Sequence, residues 1–228
     1  MRPTVAAIIP MRHDSKRVPG KNWRPLGGRP LFCHIVDSLR MSGMIDRIVI
    51  DTDSDAIRAI ASKEFPDAIL IDRPQHLRDD MLPMNDVLLH TTSCAAADIY
   101  LQTHSTNPLL HPDTITAAVK RFMDARGQHD SLFSVTRLQQ RLWDRFSRPV
   151  NHNPAVLERT QDLPPLYFEN SCFYIFTRAS LEKFRNRIGG SPIMFEVDRI
   201  EAWDIDEEAD FTIAEMLYQT VRQRRSAA

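Results

Sequence analysis

The 228 residues are 43% hydrophobic and 26% charged, with Lys+Arg 29 against Asp+Glu 30 for a formal charge of -1, which predicts one domain with one core over 1–228 and excludes a disordered or fibrous chain. That balance removes any whole-molecule attraction to nucleic acid or an anionic membrane, and no apolar run approaches the roughly 20 residues that cross a bilayer. Cys33, Cys94 and Cys172 have no metal-type spacing and cannot all pair, and no charged-then-apolar leader precedes Val5, so the expected compartment is the cytoplasm.

Val5–Pro10 is a short continuous apolar run, the pattern of a strand covered on both faces, and a long polar loop follows it. Pro30 suits the first turn of a helix in which Leu31, Ile35 and Leu39 recur until Ser42-Gly43 stops the pattern. Arg47–Asp51 reads as a second buried strand, followed by a helix from near Ser54, a strand over Ala68–Ile71, a helix over Asp86–Ala97 and a strand over Ile99–Leu101. From Pro112 a helix carries Ile115, Ala118, Val119 and Phe122, and Ser131–Val135 is the next strand. Residues 138–166 hold Pro149, Pro154, Pro164 and Pro165 with few apolar periods, which predicts an irregular excursion from the sheet. Order returns at Tyr167, with a strand core at Phe173–Phe176, a short strand at Met194–Val197 and a last helix lined by Phe211, Ile213, Ala214, Leu217 and Val221. Strands alternating with helices predict an α/β, Rossmann-like fold, a mostly parallel sheet with helices on both faces.

The loop from Met11 to Gly28 far exceeds the roughly 2–6 residues of an ordinary strand-to-helix connection. With Arg29 it carries Arg12, Lys16, Arg17, Lys21 and Arg24 against Asp14 alone. Such a loop lies beyond the carboxyl end of a strand, where ligands of open parallel sheets bind, and cations there can converge on a polyphosphate. It has neither the glycine-lysine pattern of a P-loop nor the three-glycine dinucleotide fingerprint, which lowers an ATPase or a nicotinamide enzyme.

In Trp203-Asp204-Ile205-Asp206, an extended segment puts Asp204 and Asp206 on one face with Ile205 turned inward. Two hard oxygen ligands suit Mg²⁺, which takes few protein carboxylates and completes its shell with substrate phosphates. Capping of the last helix by Asp206 or its neighbours Glu207, Glu208 and Asp210 is an equal reading. The eight histidines show no zinc spacing, and Cys172 in an apolar strand reads as a buried thiol rather than a nucleophile.

Taken in order, Ala7-Ile8-Ile9-Pro10-Met11-Arg12-His13-Asp14-Ser15-Lys16-Arg17-Val18-Pro19-Gly20-Lys21-Asn22 resembles the signature loop of the acylneuraminate cytidylyltransferases, the CMP-sialic acid synthetase family. The likeness continues through Gly28–Leu31, Asp51–Ser54, Asp72-Arg73-Pro74, Leu101-Gln102, Arg159–Pro164, Asn170 and Asp204–Asp206. It implies a nucleotide-diphospho-sugar transferase type of fold. It also implies transfer of CMP from CTP to the anomeric hydroxyl of a nonulosonic or related 2-keto sugar acid, with loss of pyrophosphate. Within that resemblance Arg12, Ser15, Lys16 and Lys21 hold the triphosphate and Asn22 lies near the nucleotide. Arg73 and Gln102 frame the cytidine end, and Asp204 and Asp206 hold Mg²⁺. Gln102, Arg159, Gln161 and Asn170 face the sugar acid, and Arg12, Lys21 and Asp206 carry the catalytic burden. The irregular 138–166 segment resembles the family's dimerisation lobe, which implies a homodimer.

Three departures fall near the expected cleft. His13-Asp14 replaces a common Gly-Gly, Thr103–Pro108 is longer than the usual segment, and Asn170-Ser171 replaces Asn-Gly. They bear on the acceptor more than on cytidylyl transfer. A different sugar nucleotidyltransferase and a non-catalytic nucleotide-binding regulator are the alternatives.

Overall fold

The computed structural model describes residues 2–226, with side chains of the last helix described as far as Thr220, so the predicted contact of Val221 lies outside the described residues. Nine strands and six helices follow the order β1 Val5–Met11, β2 Pro25–Leu26, β3 Arg29–Pro30, α1 Leu31–Met41, β4 Arg47–Thr52, α2 Asp55–Glu64, β5 Ile69–Asp72, α3 Met84–Cys94, β6 Ile99–Thr103, α4 Pro112–Ala125, β7 Ser131–Leu138, β8 Leu166–Phe176, α5 Arg178–Phe184, β9 Pro192–Glu196 and α6 Glu208–Ser226. Seven strands form one sheet in the order β5-β4-β1-β6-β8-β7-β9, and β2 pairs with β3 in a separate two-residue ribbon. Pairs β4/β5, β1/β4, β1/β6 and β7/β9 are parallel, while β8 runs antiparallel to both β6 and β7.

All seven residues of β1 are buried, as a central strand covered twice must be. One face packs Ile9, Ile50 and Leu101 against α1, α2 and α4; the other packs Ile8, Tyr100 and Tyr174 against Leu88 of α3 and Leu181 of α5. Chain order reverses about β1, which has β4 on one side and β6 on the other, so the crevice above its carboxyl end is a switch point of the sheet. A third cluster sits at that end: Val18 and Leu26 of the long loop and Leu31 pack on Ile205, Phe211 and Ala214. This cluster clamps the basic loop to the segment that precedes α6. Gly27, at φ +57°, passes so close to the Tyr218 ring that a Cβ would collide with it.

The predicted strand at 173–176 is longer than its apolar core. It begins at Leu166, and between the pairs Val135↔Glu169 and Phe133↔Tyr174 its register shifts through a bulge. Side chains satisfy the backbone freed there: Phe173 N–H donates to Ser134 Oγ at 3.0 Å, and Thr103 Oγ1 donates to the Cys172 carbonyl at 2.7 Å. Ser171 adopts φ +58°, a left-handed conformation that accounts for the glycine of the resembled pattern. The 139–165 excursion carries one short 3-10 turn, at Thr160–Asp162, and an isolated antiparallel bridge between Trp143 and Pro149. Trp143, within this excursion, is 53% exposed. Among the described residues no helix is long and apolar enough to cross a membrane.

Candidate active site

All six cations of the long loop are held by neighbours. Arg12 Nη1 lies 2.6 Å from Asp80 Oδ1, and Lys16 Nζ lies 3.0 Å from the other oxygen of that carboxylate. Arg17 Nη2 sits 2.6 Å from Asp206 Oδ1, Lys21 Nζ donates to the Ile205 carbonyl at 2.6 Å, and Arg24 pairs with Glu208 at 2.6 Å. Arg29 pairs with Asp37 at 3.0 Å. The loop is therefore tied to two acidic segments, one ahead of α3 and one ahead of α6. Asp80 is the partner that sequence reasoning missed, although the Asp79-Asp80 doublet signalled it. The Lys16 ammonium, with Arg12 behind it, holds the Asp80 carboxyl below the usual carboxylate range. Arg12, Ser15, Lys16, Arg78 and Asp80 line an open cavity of about 620 Å³.

Asn22 knots the loop from inside. Its Nδ2 donates to the Arg12 carbonyl at 2.9 Å, and its Oδ1 accepts from Ser105 Oγ at 2.6 Å. His13 fills its place as a brace: its N–H donates to Asp53 Oδ1 at 2.7 Å, and its ring stacks on Trp23 with centroids 5.1 Å apart.

Ile205 is fully buried between Asp204 and Asp206, the alternation expected of an extended segment, and its N–H donates to the Thr106 carbonyl at 3.0 Å. The capping question has a geometric answer. The Asp210 carboxylate accepts the N–H groups of Asp206 at 3.0 Å and Glu207 at 2.8 Å, so Asp210 caps α6. Asp204 Oδ1 is buried without a hydrogen-bond partner. Burial raises the Asp204 carboxyl above its ordinary range, with Asp206 adding to the effect and Thr106 and Lys21 opposing it. Burial likewise lowers the Lys21 ammonium, although Asp204 and Asp206 pull the other way. An orphaned buried carboxylate oxygen beside a second, half-exposed carboxylate fits a hard divalent cation. Among the described residues no group of three His, Cys, Asp or Glu could hold a metal ion, so the remaining ligands would come from phosphates or water.

Gln102 is fully buried at the end of β6; its Nε2 lies 3.0 Å from His104 Nε2, and its Oε1 accepts from Arg187 Nη1 at 2.6 Å. Asn170 sits in the bulge with its amide engaged, donating to Thr136 Oγ1 at 2.9 Å and accepting from Cys172 N–H at 3.2 Å. With Phe168, Ile200, Trp203 and Asp204 it borders a mainly apolar cavity of about 610 Å³. Gln161 lines an adjoining cavity that shares Thr136 and Arg199 with the first. Arg159 is not brought to either. Its guanidinium is 72% exposed and makes two bonds to Asp162, at 2.7 and 3.2 Å. Arg73 lies beneath the cleft: its Nε is 2.7 Å from Asp51 Oδ1 in a fully buried pair, and its Nη1 is buried without a partner. Cys172 is buried and its thiol is pushed up by loss of water, which is inertness rather than activation.

This geometry has known relatives. The chain is 28% identical over 218 residues to the N-acylneuraminate cytidylyltransferase of Oncorhynchus mykiss, covering 92% of this chain and 49% of that one. It is 28% identical over 225 residues to the pseudaminic acid cytidylyltransferase of Campylobacter jejuni, covering 93% and 95%. The chain thus spans about half the length of the first and almost all of the second. In fold it matches a CMP:2-keto-3-deoxy-manno-octonic acid synthetase solved with CTP, at a TM-score of 0.72 and 15% identity over 95% of this chain and 99% of that one. The family model for cytidylyltransferases aligns with residues 6–224, from the buried first strand through the basic loop and acidic pair to the last helix, and the chain belongs to that family.

Proposed function

We propose that the chain transfers CMP from CTP to the anomeric hydroxyl of a nonulosonic 2-keto sugar acid, releasing pyrophosphate. One observation carries the reading: at the switch point of the sheet, the cations of one loop and the carboxylates Asp204 and Asp206 are clamped face to face by a core of their own. Attack on an α-phosphorus demands little covalent chemistry from the protein, chiefly in-line positioning and neutralisation of developing charge. Arg12, Ser15, Lys16 and Lys21 would take the triphosphate, with Asn22 fixing the loop that presents them. Arg73, with its spare buried N–H, and Gln102 would frame the cytidine. Asp204 and Asp206 would hold Mg²⁺, whose chemistry is to neutralise and orient the phosphate oxygens. Lys21 supplies the neighbouring positive charge from a site already drained of water, where a charge acts more strongly than in bulk. Asn170, Gln161 and Arg159 would meet the acceptor, Arg159 only after leaving Asp162 or from a partner subunit. The free thiols of Cys33, Cys94 and Cys172 accord with a reducing cytoplasm.

The test is a pyrophosphate-release screen crossing the four nucleoside triphosphates with N-acetylneuraminic, pseudaminic and 2-keto-3-deoxy-manno-octonic acids. Turnover with CTP and Mg²⁺, lost in EDTA, is expected. Equal turnover with ATP, or full activity in chelator, overturns the reading.

A further inference from the structure

Arg187 follows α5 and is a cation that neither the basic loop nor the excursion supplies. Its position is fixed from several sides. Its N–H donates to Asn85 Oδ1 at 3.2 Å at the start of α3, where Arg185 also pairs with Asp86 at 3.1 Å. Its guanidinium carbon lies 3.6 Å from the centroid of the Tyr174 ring, stacked on a residue that faces Gln102 across the β6/β8 pair. The Tyr174 hydroxyl is in turn held by Glu169 and by Ser171.

The electrostatics of this corner are unbalanced. Arg12, Lys16, Arg17, Arg24, Arg29, Arg73 and Arg159 each face a carboxylate. The Arg187 side chain, among the described residues, makes no ion pair and gives its one hydrogen bond to the neutral Gln102 amide. The residue is half-buried, and none of its nitrogens is shut away from water without a partner. Glu169, the nearest acid on β8, is spent on Tyr174. On the far side of Gln102 stands His104, whose imidazole is driven down to about 3 by loss of hydration and by the charges of Arg187 and Lys21. The imidazole is therefore neutral; Lys21 has Asp204 and Asp206 beside it, whereas the carboxylate nearest Arg187 is Glu169, which is hydrogen-bonded to Tyr174 rather than to the guanidinium. An oriented, partly dehydrated guanidinium outside any ion pair, stacked on the tyrosine that meets Ser171 next to Asn170, is an anion-binding group.

We propose that Arg187 binds the carboxylate of the acceptor sugar acid from within the same chain, with Tyr174 and Gln102 fixing the plane of its fork. The assignment rests on the acceptor reading above, and it gives Arg159 no part in carboxylate recognition. With Nη1 given to Gln102 and the guanidinium carbon held over the Tyr174 ring, the remaining N–H groups suit the two oxygens of a carboxylate.

The test pairs variants with substrate analogues. The three sugar acids and their carboxamides are assayed with CTP and Mg²⁺ on wild type, Arg187→Met and Arg187→Lys, with CTP affinity measured separately by calorimetry. For the best acid, KM is expected to rise at least tenfold in Arg187→Met and by less in Arg187→Lys, with CTP affinity within twofold of wild type as proof of folding. The preference of wild type for acid over carboxamide should vanish in Arg187→Met, which a merely structural arginine would not cause. Undiminished preference in that variant, or a loss confined to CTP affinity, overturns the Arg187 assignment alone. Wild type that turns over none of the acids overturns the acceptor reading and the assignment with it.

Discussion

Asp204 is a carboxylate placed where its own charge is disfavoured. Its folded pKa is raised above the unfolded value by burial, so the folded state keeps a proton that the unfolded state has released. The stability contributed by that difference is present at low pH and is lost as pH rises through the raised value, so at neutral pH an ionised Asp204 destabilises the fold. Asp204→Asn is therefore expected to melt at or above the wild-type temperature near pH 7 while pyrophosphate release collapses, a trade of activity for stability. A lower melting temperature together with retained turnover would make Asp204 a structural residue. Such settings leave little trace in a linear pattern. The period of two in Asp204-Ile205-Asp206 shows which side chains share a face, but the clamp that buries Ile205 and fixes the segment joins Val18 and Leu26 to Phe211, far along the chain. Arg73 taught the same lesson in reverse. Its motif suggested a ligand contact, and its partner Asp51 lies 22 residues away on a neighbouring strand, so the buried pair was not legible.

At the level of elements, legibility followed burial. Strands covered on both faces, such as β1 and β4, show as continuous apolar runs, and α1 and α4 show as regular recurrences. The first half of β8 was missed because Leu166–Glu169 is largely exposed and the bulge at Asn170-Ser171 breaks the alternation. β2 and β3, two residues each, are too short to carry a pattern. The excursion between β7 and β8 was legible as irregular, and its surface has its own consequence: Leu157 is 93% exposed, with Phe146 at 61% and Phe168 at 58% nearby in the chain. Apolar side chains concentrated on one segment mark an interaction surface, and a second copy of the chain is the partner we propose. Light scattering at micromolar concentration should give a dimer, and Leu157→Asp combined with Phe146→Asp should give a monomer that still binds CTP. A monomeric wild type would reject the proposal.

For the molecule as a whole, the switch point of the sheet brings three distant stretches of chain, near residues 12–24, 79–80 and 203–210, to one crevice. The Arg17–Asp206 contact is an ion pair 2.6 Å long across that crevice, and under the proposed function it would make two binding equilibria depend on each other. Under that function, a triphosphate on the neighbouring loop cations would draw Arg17 away and release Asp206, and a cation on Asp206 would free Arg17 for the triphosphate. Linkage then requires that nucleotide and metal raise each other's affinity by the same factor. The melting-temperature rise with CTP and Mg²⁺ together should exceed the sum of their separate effects, and Arg17→Gln should shrink the excess while strengthening the response to Mg²⁺ alone. A strictly additive wild type would mean that the pair is idle. Otherwise the loop and the acidic segment act as each other's counter-ions, and the crevice is charged for neither ligand until both arrive.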